Sequence, residues 1–198
     1  ITAGAGETQT LQVTATSDNT GLISDPTVTY TSAETTGTLS YTPVADASGT
    51  AVVTVTVTDA GLDDDLQTIT DNASFSRTYT VTVNAVNDPP LLDVISDPSA
   101  IDEDDGLQSV SLAGITAGAG ETQTLQVTAT SDNTGLVPDP TVTYTSDETT
   151  GSLAYTPVAD ANGTAVVTVT VTDAGLDDDL QTIADNASFS RTFTVTVN

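Results

Sequence analysis

The chain has 198 residues and a net charge of −26, from 28 acidic side chains against two cations, Arg77 and Arg191, and it has no Cys, His, Lys, Met or Trp. Disulfides, thiolate or imidazole metal sites, Ser-His-Asp catalysis and a Lys–Asn isopeptide crosslink are thereby excluded. A surface this negative repels nucleic acid and anionic membranes, and no apolar run approaches the ~18 residues that would span a bilayer.

In chain order, alternation of period two appears at residues 11–13, 27–30 and 39–41. It is strongest over residues 51–59, where Val53, Val55 and Val57 share one face and Thr54, Thr56 and Thr58 the other, and it returns over residues 79–83. β-Branched residues dominate these runs, turn clusters separate them, and no window has helical spacing. The pattern then repeats. Residues 1–84 realign on residues 115–198 with only eight differences: Ile23/Val137, Ser24/Pro138, Ala33/Asp147, Thr38/Ser152, Ser40/Ala154, Ser48/Asn162, Thr70/Ala184 and Tyr79/Phe193. An offset of 114 is too long for a solenoid rung, so each copy is expected to be a whole domain.

The second copy predicts strands near 91–95, 107–112, 123–130, 141–146, 152–156, 164–172 and 189–197. Seven short strands in this length specify an all-β fold of two tandem seven-stranded Greek-key β-sandwiches. The expected organisation is a first repeat over 1–84 lacking its leading strand, a linker over 85–90 and a complete repeat over 91–198. The missing strand is expected from outside the first repeat, from upstream polypeptide in a longer array or from a neighbouring subunit.

Residues 155–173 (YTPVADANGTAVVTVTVTD) and 191–198 (RTFTVTVN) resemble the bacterial cadherin-like, immunoglobulin-like tandem repeats of giant surface adhesins and extracellular fibres. Residues 81–90 (VTVNAVNDPP) resemble the cadherin linker, and residues 100–106 (AIDEDDG) the acidic segment after the first cadherin strand. The linker has Ala85 where cadherins place Asp, it is one residue shorter, and the D-R-E motif is missing. The resemblance implies an extracellular or cell-surface location, calcium at the domain junction and adjacent copies of the same repeat as partners. It also implies a far-pole site using Glu103 and Asp160.

Calcium takes six to eight oxygen ligands, and loops at sandwich poles supply carboxylates and carbonyls. Stacking two such sandwiches end to end is expected to bring Asp46, Asn87, Asp88, Asp132 and Asp173 to one junction. The alternative is that Asp46 caps a turn and residues 87–89 form a stiff bend. A second acidic cluster, Asp59, Asp63 and Asp65 with its repeat at residues 173–179, offers either a shared cation or a solvated loop, and its spacing is not that of an EF-hand. Arg77 and Arg191 share the inward parity of Phe75, Tyr79, Phe189 and Phe193, so each is expected to bond a carboxylate near the hairpin-loop pole.

The function expected is a structural spacer or stalk repeat, with no enzymatic role and no membrane insertion. The alternative is a carbohydrate- or ligand-binding module acting on a surface or matrix polysaccharide. The few aromatics on inward parity argue against a sugar platform. Paired carboxylates could in principle hydrolyse glycosides, but here they lie in repeated polar loops without an aromatic wall.

Overall fold

The computed structural model describes all residues, 1–198, and is all-β. It contains two compact units, Ile1–Ala85 and Val86–Asn198.

The first unit has five strands: β1 (Leu11–Ser17), β2 (Thr27–Thr29), β3 (Thr38–Ser40), β4 (Gly49–Asp59) and β5 (Ser74–Val83). One sheet has the order β1-β4-β5, and β2 pairs with β3 in a second. The second unit has β6 (Gln108–Ala113), β7 (Leu125–Ser131), β8 (Thr141–Thr143), β9 (Thr150–Tyr155), β10 (Gly163–Asp173) and β11 (Ser188–Val197). Its sheets have the orders β7-β10-β11 and β6-β9-β8. Thus β6 pairs with β9 and β7 with β10, each three strands on, and these two crossings interlock the sheets as a Greek key.

The Val/Thr alternation sets the sandwich faces. In β10, Val167, Val169 and Val171 are fully buried, and β11 adds Phe193, Val195 and Val197 from the same layer. Leu112 of β6 and Leu153 and Tyr155 of β9 face them from the other sheet. Burying each large apolar side chain contributes about 1.5–3 kcal/mol. Thr168 and Thr170, at the intervening positions, remain part-exposed.

The segment ahead of β6 does not form the expected strand over 91–95. Leu91 makes one antiparallel bridge to Thr116 and Ile101 one parallel bridge to Val197, so the segment crosses from one sheet to the other. Pro89, Pro90 and Pro98 lack the amide donors a continuous ladder would need. Its ties are spread out: Leu91 N–H donates to the Thr116 carbonyl at 2.9 Å, and Thr194 N–H donates to Asp97 Oδ1 at 2.6 Å. Leu92 and Ile95 are buried in the core beneath it.

Two other expectations change. The strand read over 141–146 stops at Thr143, because residues 145–148 turn, with Glu148 N–H donating to the Thr145 carbonyl and Asp147 at φ 76°. Arg191 does not bond a carboxylate. Its Nε–H donates to the Leu92 carbonyl at 3.2 Å, and its guanidinium lies 4.7 Å from the Phe189 ring centroid. The crossing segment brings a carbonyl nearer than any pole acid, and the half-buried side chain can keep the rest of its charge in solvent. Arg77 is exposed and stacks over Phe75 at 4.8 Å.

Candidate functional site

The site is the pole of the second unit where residues 86–88 join it. It centres on Asp173, the last residue of β10 and the one buried charged side chain of the chain. Strand register places it: Asp173 pairs with Leu125, the first residue of β7, so both lie at the sheet end nearest the β10–β11 loop.

Asp173 Oδ1 accepts three hydrogen bonds, from Gly175 N–H at 2.9 Å, Ala187 N–H at 2.8 Å and Asn87 Nδ2 at 3.2 Å. The first two tie the β10–β11 loop to its own root. The third ties in the incoming segment. Asp173 Oδ2, equally buried, has no partner. Asn87 Nδ2 also donates to the Asp185 carbonyl at 2.9 Å, while its Oδ1 accepts from Gln123 Nε2 at 2.7 Å. Gln123 Oε1 is a second buried oxygen without a partner. Beside this, Asp88 N–H is shared between the two carboxylate oxygens of Glu121, at 3.1 Å each.

Asn87, Asp173, Gln123 and the Asp185 carbonyl therefore form one network, with the Asp88–Glu121 pair beside it. The unit's only cation, Arg191, is bonded elsewhere. A buried carboxylate oxygen with neither donor nor counter-charge is costly, and it is the kind of atom a cation satisfies. The donor set of carboxylate, amide and backbone oxygens suits a hard ion such as calcium. As placed, no three of the chain's acidic side chains converge closely enough to hold an ion between them. The fit is one of donor chemistry and of an unpartnered buried oxygen, rather than of a finished cage.

The first unit repeats the root of this site. Asp59 Oδ1 accepts from Gly61 N–H at 3.1 Å and Ala73 N–H at 2.9 Å, and Gln9 Oε1 is buried without a partner, as Gln123 Oε1 is. Asp59 is only half-buried and takes no side-chain bond like that of Asn87.

The other expected ligands fall elsewhere. Asp132 follows β7, whose last residue Ser131 pairs with Val167, six residues along β10 from Asp173 and on the order of 20 Å away. The structure does not bring Asp132 and Asp173 together. Asp132 Oδ1 instead accepts from Val166 N–H at 2.7 Å. Asp160 and Glu103 lie toward that same far end, Asp160 just before β10 begins and Glu103 two residues past the Ile101–Val197 bridge, but no hydrogen bond joins them. Asp46 and Asp160 are exposed turn residues in the left-handed region, at φ 59° and 57°, which Asp tolerates better than most residues.

The triple-Asp loops are occupied with their own backbone. Asp63 Oδ1 accepts from Asp65 N–H at 3.0 Å, Asp65 Oδ1 from Gln67 N–H at 2.9 Å, and Asp64 Oδ1 from Thr10 N–H at 2.7 Å. Asp177, Asp179 and Asp178 repeat these bonds with Asp179, Gln181 and Thr124. The backbone bonds from Thr10 and Thr124 hold the Asp64 and Asp178 carboxyls below the usual aspartate value. Asp63, Asp65, Asp177 and Asp179 thus each close a turn of their own loop, while Asp64 and Asp178 tie the loop to Thr10 and Thr124.

Glu121, Gln123 and Asp185 were not among the expected ligands. The signal for Glu121 lay in topology, since the connection between β6 and β7 reaches the same pole as residues 86–88.

No protein-family model matches the chain, and no curated protein matches it in sequence. Among solved structures, it is similar to domains 4 and 5 of the S-layer protein SbsC, with 18% identity over 98% of this chain and 74% of that one, at a TM-score of 0.38. It is similar to the protocadherin gammaB7 EC3-6 cis-dimer structure, with 16% identity over 94% of this chain and 41% of that one, at a TM-score of 0.41. It is also similar to the protocadherin GammaB4 extracellular domain, with 16% identity over 94% of this chain and 28% of that one, at a TM-score of 0.38.

Proposed function

We propose that this chain is a structural repeat region of a cell-surface adhesin stalk or extracellular fibre, whose complete unit takes up calcium at the pole where residues 86–88 join it. The calcium reading is carried by the fully buried, unpartnered Oδ2 of Asp173. Asp173 would hold the ion with oxygens from Asn87, Asp88 and Glu121. The ion supplies the positive charge this pole lacks, and it would fix residues 86–88 against the β10–β11 loop, stiffening the connection that precedes the unit.

The repeat reading is supported by the near-identity of the copies down to single hydrogen bonds. Ser17 N–H donates to Asp25 Oδ1 at 2.8 Å and Ser131 N–H to Asp139 Oδ1 at 2.8 Å, and the Asp64–Thr10 and Asp178–Thr124 bonds match in the same way. The aromatics exposed in the first unit, Tyr41, Phe75 and Tyr79, have counterparts in the second unit, Tyr155, Phe189 and Phe193, that lie in or against its core. They belong to a core-facing surface rather than a sugar platform.

The test is thermal unfolding in calcium and in chelator. A ligand that binds only the folded state at a hundredfold excess over Kd stabilises by about 2.7 kcal/mol. Calcium is expected to raise the melting temperature of the wild-type chain and to leave Asp173→Asn unmoved. An unshifted wild type would overturn the calcium reading.

A further inference from the structure

Equivalent positions of the two copies stand in two different environments within this one molecule. Tyr155 is 4% exposed, and its counterpart Tyr41 is 41% exposed. Phe193 is 2% exposed, and its counterpart Tyr79 is 36% exposed. Leu153 is buried, whereas Leu39 is only half-buried. The sequences around these positions are almost the same, so composition does not explain the difference. In the second unit, residues 86–113 do.

That segment covers the core in two ways. β6 adds to the edge of β9 that β8 leaves open, pairing Gln108 with Tyr155, Val110 with Leu153 and Leu112 with Gly151. Upstream of it, the crossing stretch runs along the outer edge of β11. There Ile101 N–H donates to the Thr196 carbonyl at 3.1 Å, Asn198 N–H donates to the Ile101 carbonyl at 2.9 Å, and Arg191 holds the Leu92 carbonyl. Leu92, Ile95 and Leu112 fill the layer beneath.

The first unit presents the same receiving surface without a covering segment. β3 pairs only with β2, so the edge corresponding to the β6 side of β9 is unpaired. The outer edge of β5 offers Thr80 N–H, the Thr82 carbonyl and the Arg77 guanidinium, the counterparts of the three groups of β11 that bind the segment in the second unit. Arg77 has only the Phe75 ring. An apolar face with an open strand edge is a template for strand addition, in which backbone bonds give affinity and alternate side chains give specificity.

We propose that the first unit is an acceptor for a second copy of the 86–113 segment. The strand docks antiparallel on β3 with Gln108 opposite Tyr41, Val110 opposite Leu39 and Leu112 opposite Gly37. Its Leu92 and Leu112 cover the face of Tyr41 and Tyr79, and its Leu92 carbonyl takes the Arg77 guanidinium. This rests on the structural-repeat reading but not on calcium, because the contacts it needs are made by residues 92–112 of the segment with β3, β5 and Arg77, none of which belongs to the Asp173 network, and Asn87 and Asp88 of the segment are not required for them.

The experiment adds a synthetic peptide of residues 86–114 to the full 198-residue chain, in calcium and in chelator, and follows stoichiometry by calorimetry and residue-level hydrogen exchange. One peptide is expected to bind per chain in both conditions, because the second unit is already filled. Outward-facing amides of residues 37–41 should exchange ~10-fold or more slower on binding. A peptide carrying Val110→Asp and Leu112→Asp should neither bind nor protect. Three outcomes would overturn the proposal: no binding, binding without protection of residues 37–41, or a peptide-free chain that is already dimeric with those amides protected. The last would assign the face to self-association. Binding that survives chelator while calcium fails to shift the melting temperature would refute only the calcium reading.

Discussion

Asn87 and Asp173 are 86 positions apart in sequence and joined by a 3.2 Å hydrogen bond from Nδ2 to Oδ1, which ties the leading segment of the second unit to the end of its central strand. Asn87 also bonds Gln123 and the Asp185 carbonyl, so one side chain links three loops of the pole.

Replacing Asn87 by Ala removes these three bonds and leaves a second polar group of Gln123 without a partner. Leaving a buried polar group unsatisfied costs about 1–3 kcal/mol. Asn87→Ala is therefore expected to destabilise the second unit by roughly 2–3 kcal/mol and to speed exchange at the Gly175 and Ala187 amides. Exchange in β1–β5 should be unchanged. Equal loosening of β1–β5 would show that Asn87 does not act through this network.

Asp178 gives a pH-dependent expectation with a definite sign. Its folded carboxyl lies below the usual aspartate value of 3.8, because Thr124 N–H donates to the ionised form. A depressed folded value means the contribution is present above pH 3.8 and is lost as pH falls through the folded value. Asp178→Asn keeps an acceptor and tolerates φ 55°, but it removes the charge. It should be less stable than wild type at pH 7 by chemical denaturation, and the gap should close toward pH 2. A gap that stays constant through acid would attribute the difference to packing rather than ionisation.

Periodicity made most of the strands legible, because Val at every second position of β4 and β10 admits no other regular reading. Residues 164–172 were expected as a strand, and β10 spans Gly163–Asp173. The leading segment was not legible in the same way: Leu91, Leu92 and Ile95 look like a strand, but the segment changes sheets, a tertiary event with no local pattern. Of the residues expected at one junction, the structure brings Asn87, Asp88 and Asp173 to the same pole and leaves Asp132 at the other. Acidity marks loops, but only β7–β10 register tells which pole a loop occupies. Glu121, isolated in sequence between Gly120 and Thr122, carried no cluster signal, and topology alone brings it to Asp88.

The last expectation uses one of the eight differences between the copies as a built-in control. Ala33 and Asp147 occupy the same turn with the same φ of 76°. In the left-handed region the Cβ of an L-residue crowds its own following carbonyl, at a cost of about 1–2 kcal/mol, and short polar side chains such as Asp offset part of this by local hydrogen bonding. The second copy thus carries a residue suited to this backbone, and the first does not. Ala33→Gly removes the Cβ and should stabilise the first unit by about 1 kcal/mol, which for a domain of this size shifts the melting temperature by roughly 4–8 °C. Ala33→Asp should stabilise it somewhat less, because a new carboxylate beside Glu34 adds like-charge repulsion. Asp147→Ala is expected to weaken the second unit by a similar amount. The measurement is calorimetry, with hydrogen exchange at β2–β3 and β8–β9 assigning each shift to its unit. An Ala33→Gly chain no more stable than wild type would mean that this turn relaxes in solution and that its φ is not what separates the two copies.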